Sequence, residues 1–131
     1  MLHSIAVKDY MLTNLVTVFP EMDVMDAIHL MLQNRVSGVP VVDKLGNIVG
    51  TLSERDCMKV ALNASYHEEK GGRVSQFMSR GAVTIDADSS LVEAAEMFYE
   101  KPYRFYPVVE NTRLVGQLRR SDVLKALEIL W

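Results

Sequence analysis

Residues 50–56 read Gly50-Thr51-Leu52-Ser53-Glu54-Arg55-Asp56 (GTLSERD), and residues 116–122 read Gly116-Gln117-Leu118-Arg119-Arg120-Ser121-Asp122 (GQLRRSD). Glycine, leucine and aspartate agree between the two; Ser53 is answered by Arg119. A serine with an acid three residues later, placed after an apolar strand-like run, is the pattern of a helix N-cap and its capping box. Such a pattern is structural by itself. Its recurrence raises a second reading, in which the junction also holds a ligand.

Working outward, the two stretches belong to a duplication of nearly the whole chain. Val7, Met11, Val16, Thr17, Ala27, Pro40, Val41 and Val42 recur 67 positions later, as Val74, Met78, Val83, Thr84, Ala94, Pro107, Val108 and Val109. After a one-residue shortening the offset is 66, and Val49, Gly50, Leu52, Asp56 and Lys59 match Val115, Gly116, Leu118, Asp122 and Lys125.

Each copy predicts the same order of elements. A short strand around Val16-Thr17-Val18 precedes a helix from about Asp23, whose apolar face is Val24, Ala27, Ile28 and Met31. The second copy of that face is Leu91, Ala94, Ala95 and Phe98. Ser90 is expected to cap this second helix, with Glu93 reaching back. Then comes a hairpin from Val39-Pro40-Val41-Val42 to Ile48-Val49-Gly50-Thr51-Leu52, turning through Lys44–Asn47 with Gly46 free to take a positive φ. The second hairpin turns through Glu110–Arg113. A last helix follows each hairpin, from Glu54 to about Asn63 and from Ser121 to about Leu130. Ala64–Gly72 reads as a polar linker. The expected fold class is α+β, with two β-α-β-β-α repeats over 1–63 and 73–131. One unit of roughly 55 residues has a thin core, so pseudo-two-fold packing of the repeats is expected, with two equivalent clefts between them.

Composition bounds the function. With 131 residues, 49% hydrophobic and 24% charged, the chain has the make-up of an ordinary globular protein. Apolar runs are too short to span a bilayer. The opening MLHSIAVKDYM has neither a long apolar stretch nor a small-residue cleavage site, so no secretory leader is expected. The net charge of −3 argues against nucleic acid as main partner. The single cysteine, Cys57, cannot form an internal disulfide, which agrees with a reducing, cytoplasmic setting; it is expected to be a small core residue. His3, His29 and His67 lack metal-ligand spacing. No nucleophile–base pair or carboxylate pair stands out, so an enzyme is not expected. The eight methionines read as core and interface filler, and Tyr103 and Trp131 as candidate interface anchors.

With SGVPVVDKLGNIVGTLSERD (37–56) and RFYPVVENTRLVGQLRRSD (104–122) in the frame strand–helix–hairpin–helix, the chain resembles a tandem pair of CBS domains, a Bateman module, over essentially its full length. The resemblance implies a regulatory module that binds an adenosine-containing ligand (AMP, ADP or ATP, with S-adenosylmethionine a further candidate) and signals occupancy to a partner. It also implies a homodimer and a regulated target lying outside this sequence. Carried onto these residues, it implies one cleft of Thr17, Val39, Pro40, Ser53 and Asp56, and a second of Thr84, Arg104, Tyr106, Pro107, Arg119 and Asp122. Asp56 and Asp122 would accept from ribose hydroxyls, and Ser53 would face phosphate at a helix N-terminus, where orphan amides and the dipole favour anions. The threonines and the segments before the prolines would wall the base. Arg119 has three open readings: a phosphate contact aided by Arg104; a side chain that points into water with that of Arg120, the helix starting late with Ser121 as its cap; or a side chain folded onto an acid such as Glu110 that blocks entry. A ligand-independent interaction module, working through Leu124, Leu127, Ile129, Leu130 and Trp131, is the alternative function.

Overall fold

The computed structural model describes residues 2–68 and 71–130; Trp131, proposed above as an anchor, lies outside them. Two compact units form. One comprises 16–82 and the other joins 2–15 to 83–130. The units therefore cut across the sequence repeats: each repeat hands its leading segment to the sheet of the other.

In unit 16–82, helix α1 (Val24–Asn34) leads to strands β1 (Gly38–Val42) and β2 (Ile48–Ser53), helix α2 (Glu54–His67), the short helix α3 (Val74–Phe77) and strand β3 (Ser79–Arg80). The sheet order is β1-β2-β3, and Val18 bridges Val41 in parallel outside β1. In the other unit, strand β4 (Ile85–Asp86), helix α4 (Leu91–Glu100), strands β5 (Phe105–Glu110) and β6 (Arg113–Arg119) and helix α5 (Arg120–Leu130) follow one another. Here the order is β4-β5-β6, and Leu12 bridges Gln117 outside β6. Each sheet thus has four lanes. The first is Val18 or β4; the last is β3 or Leu12.

The first lane is shorter than the strand expected around Val16–Val18. Val18 donates to Pro40 O and accepts from Val42 N. The next bond in such a parallel ladder would run from the amide of Pro40 to residue 16, and proline has no N–H. Extension the other way works in the second unit, where Ala87 N donates to Val109 O at 3.0 Å. The counterpart of Ala87 is Pro20, again without a donor. Prolines on both sides leave Val18 as a lone bridge, whereas Ile85–Asp86 forms a strand.

The hairpins repeat closely. Val41 pairs with Gly50 but Val42 with Ile48, and Val108 pairs with Gly116 but Val109 with Leu114, so each carries a bulge at the same place. Gly46 takes φ +85° in the first turn, which Asp43 also ties down by accepting from Leu45 N and Asn47 N. The second turn is tighter, with Asn111 at φ +59°.

Gly50 and Gly116 serve the last lane. A Cβ on Gly50 would stand 2.5 Å from the backbone oxygen of Ser79, and one on Gly116 would strike the Met11 side chain. The shared glycine thus lets a segment of the other repeat lie against the hairpin.

Each unit has its own core. Val18, Val24, Ala27, Val39, Val41, Leu52 and Val74 are buried in one; Val7, Leu91, Ala94, Tyr106, Val108, Leu118 and Ala126 in the other. Asp23 caps α1 by accepting from Met25 N. Ser90 Oγ accepts from Glu93 N at 3.2 Å; the cap bond on α4 is this forward one, without the expected return from Glu93. Helix α2 runs to His67 rather than about Asn63, because nothing before Gly71-Gly72 breaks a helix. Residues 64–67 of the expected linker are therefore helical; Glu69 and Lys70 of that linker lie outside the described residues.

Candidate functional site

In unit 16–82, β2 enters α2 with no intervening loop. Ser53 is extended (φ −107°, ψ 166°) and caps the helix. Its Oγ accepts from Asp56 N at 3.1 Å, and Asp56 Oδ2 accepts from Ser53 N at 2.9 Å. The capping box read from GTLSERD is thus complete. Glu54 N donates to Ser37 O. Asp56 Oδ1 accepts from the Ser79 hydroxyl at 3.0 Å.

Ser79 was not legible as a partner. It sits in the second repeat, where its counterpart is Leu12, so the repeat comparison gives it no weight. Only the crossing of β3 onto β2, with Thr51 opposite Ser79, brings it near Asp56.

The other first-site residues gather at the end of the sheet where β1 begins and β2 ends. Gly38 lies opposite Ser53 and Pro40 opposite Thr51. Thr17 precedes Val18, whose amide donates to Pro40 O, and it is half-buried. The Val39 side chain is buried in the core. From this position it can offer a ligand its main chain and not its side chain.

The second junction, β6 into α5, has the same backbone plan and a different side-chain arrangement. Arg119 N donates to Asp122 Oδ2 at 2.8 Å, the return half of a capping box. The forward half is impossible, since a guanidinium carries no acceptor. Helix α5 nonetheless starts at Arg120, one residue before the expected Ser121, held by that return bond. The Arg119 side chain then folds onto the same carboxylate, Nε to Oδ2 at 3.1 Å and Nη2 to Oδ1 at 2.8 Å. Its acid partner is Asp122, not Glu110. Asp122 is only 3% exposed, and the bond to it raises the Arg119 pKa further above its ordinary value.

Among the remaining second-site residues, Thr84 is half-buried and Arg104 exposed, next to the start of β5. Arg120 Nε donates to Tyr103 O at 3.1 Å, fastening the segment before β5 to α5. Tyr106 is 1% exposed. Its hydroxyl donates to Met97 O at 3.0 Å, and its ring packs against Phe98 and Tyr103 with centroids 4.7 and 5.8 Å away. Pro107, like Pro40, is buried. An open groove of about 670 Å³ runs between α4 and α5, lined in part by Phe98, Tyr99 and Leu124. None of the second-site residues named above lines it.

Cys57 is buried behind the first junction. Burial first, then the neighbouring Asp56 and Glu54 carboxylates, push its thiol up to about 11. Among the described residues no group of three acids, histidines or cysteines is placed to hold a metal ion, and no helix is long and apolar enough to cross a membrane.

A family model for the CBS domain matches residues 7–63 and 74–129. The chain belongs to the CBS domain family. As a CBS pair it is similar to the CBS domain-containing protein YhcV of Bacillus subtilis, 33% identical over 119 residues that make up 90% of this chain and 82% of YhcV. It is also 30% identical, over 89% of its length, to 22% of the inosine-5'-monophosphate dehydrogenase of Methanocaldococcus jannaschii, so the pair also occurs inside a far longer enzyme. Among solved structures, CBSX2 in complex with AMP superposes with a TM-score of 0.86 at 29% identity, covering 98% of this chain and 100% of that one.

Proposed function

We propose that this CBS pair is a regulatory module that binds an adenosine-containing nucleotide of the AMP, ADP or ATP class beside Asp56 and passes occupancy to a partner protein. The observation that carries this reading is the Asp56 carboxylate. It is half-buried at the first turn of α2, in a capping box with Ser53, which itself lies opposite Gly38 where β1 begins. Two of its acceptor positions are taken, by Ser53 N and Ser79 Oγ; a carboxylate offers about four. Two remain, the number a ribose diol requires. The likeness to CBSX2 with AMP bound supports adenosine as the ligand class.

Thermal unfolding with and without millimolar AMP, ATP and S-adenosylmethionine tests the proposal. A nucleotide at a hundred times its dissociation constant adds about 2.7 kcal/mol to stability. No shift with any of the three would leave the second reading, a ligand-independent interaction module. That reading is favoured by a specific feature: both aspartates already serve as helix-start acceptors. The exposed apolar residues of α5, Leu124, Leu127, Ile129 and Leu130, would then be the working face. Leu124, which lines the α4–α5 groove, and Leu127 one turn further on support a homodimer under either reading, and light scattering checks it.

A further inference from the structure

We propose that Arg119 is a specificity-determining residue that closes the Asp122 junction to ribose, so that the chain takes up one adenosine-type ligand rather than two. The inference rests on the ligand reading just given and assigns the difference between its two sites.

The two junctions share Gly-x-x-x-x-x-Asp and the same strand-to-helix backbone, and they differ in what occupies the carboxylate. Around Asp56 the donors are one backbone amide and the Ser79 hydroxyl. A hydroxyl turns about a single bond and can be re-aimed when a ligand arrives. Around Asp122 the donors are the Arg119 amide and two nitrogens of the Arg119 guanidinium. These charge-assisted bonds span both carboxylate oxygens, the strong mode of such pairing. A fork of two N–H groups stands where a diol would place its two O–H groups.

Two further facts fit the same assignment. Asp122 is buried whereas Asp56 is half-buried, so the second carboxylate offers less of itself to an incoming ligand. The position that supplies the Ser79 hydroxyl in one sheet is Leu12 in the other, whose side chain carries no donor. Arg119 supplies the donors that Leu12 cannot. A ribose entering there must displace a side chain anchored next to its own bonded amide, which weakens binding by roughly ten- to a hundredfold relative to the Asp56 junction.

Equilibrium dialysis of the full chain against labelled AMP and, separately, ATP tests this. The wild type is expected to bind one nucleotide per chain. Arg119→Ser, which restores the residue found at position 53, is expected to bind one more. Arg119→Ser combined with Asp122→Asn should lose that increment. Arg119→Thr carries an equivalent capping oxygen, so a folding defect confined to the serine variant leaves the question decidable. Two nucleotides bound by the wild type, with AMP or with ATP, would overturn the proposal, the ATP case because phosphate draws the arginine away. Failure of both folded Arg119 variants to bind more than the wild type would also overturn it. Absence of binding in every protein would overturn the ligand reading itself and this inference with it. Binding only after loss of Arg119 supports the lock and moves the ligand to Asp122.

Discussion

Arg119 lies across the carboxylate of Asp122, its Nη2 2.8 Å from Oδ1 and its Nε 3.1 Å from Oδ2, while Ser53 faces Asp56 through a reciprocal capping box. The exchange of Ser53 for Arg119, with Leu12 in the place of Ser79, accompanies the change from a capped, half-open junction to an internally paired one. Transplanting the change is informative. Ser53→Arg is expected to weaken nucleotide binding at Asp56 by about tenfold or more, the effect of a competing charge-assisted fork. Calorimetric titration with AMP measures it, and unchanged affinity would show that an arginine at this position does not compete.

Asp56→Ala removes an acceptor used by Ser53 N and Ser79 Oγ, so it should destabilise the fold by about 1–2 kcal/mol as a lost cap. It should also reduce nucleotide affinity by about 1.5–3 kcal/mol through the lost bonds to a charged group. Ser53→Ala removes only the forward cap bond. Denaturant unfolding should place its cost near 1 kcal/mol, with affinity changed much less than by Asp56→Ala. Equal affinity losses in the two variants would assign the effect to helix capping and not to ribose.

Gly50→Ala and Gly116→Ala are the same change at matching positions with unequal outcomes. The new Cβ at 50 meets a backbone oxygen 2.5 Å away, whereas at 116 it meets first the flexible Met11 side chain. Overpacking commonly costs about 1–3 kcal/mol. Gly50→Ala is expected at or above the upper end, Gly116→Ala at the lower, as read from denaturation midpoints. The reverse order would contradict the crossing of β3 over Gly50.

Tyr106→Phe should be mild, below about 1 kcal/mol. Met97 O, which accepts from the hydroxyl, also accepts from Lys101 N and is not orphaned. Tyr106→Val, which copies Val39, removes a ring packed on Phe98 and Tyr103 and should cost about 3–5 kcal/mol, as large-to-small core changes do. Thermal unfolding of both variants separates the hydroxyl from the ring.

The Cys57 thiol, pushed up to about 11, should react slowly with a disulfide reagent. At pH 8 its thiolate fraction is about a hundredfold below that of an ordinary thiol, with burial slowing access further. Unfolding should release it. The linkage has a definite sign: a raised folded pKa keeps the native state favoured below the ordinary value of 9.0, and that contribution is lost as pH climbs toward about 11. Stability measured across that window should fall by less in Cys57→Ala.

Much of the architecture was legible because it depends on local chemistry repeated twice. The two hairpins follow from Val-Val runs, turn residues and Gly46; the helix starts follow from Asp23, Ser53 and Ser90. Those are contacts between residues a few positions apart, and the sequence states them directly. The lone bridge at Val18 was legible too in principle, since Pro20 and Pro40 lack the donors a strand would use, but the ladder in which they fail had to be seen first.

What the sequence by itself determined, then, is the duplication, the helix–hairpin–helix order within each repeat and the position of both aspartates at the starts of helices, but not the short α3 and β3. Tertiary structure alone decided which segment closes which sheet. The exchange of Leu12 and Ser79 between repeats is a long-range pairing of two short segments with no periodic signal, selected by open sheet edges and by the room above Gly50 and Gly116. It alone decided, too, that Ser79 meets Asp56 and that Arg119 turns onto Asp122. The direction of a long side chain is set by the charges and space around its rotamers, which exist only once the chain has folded.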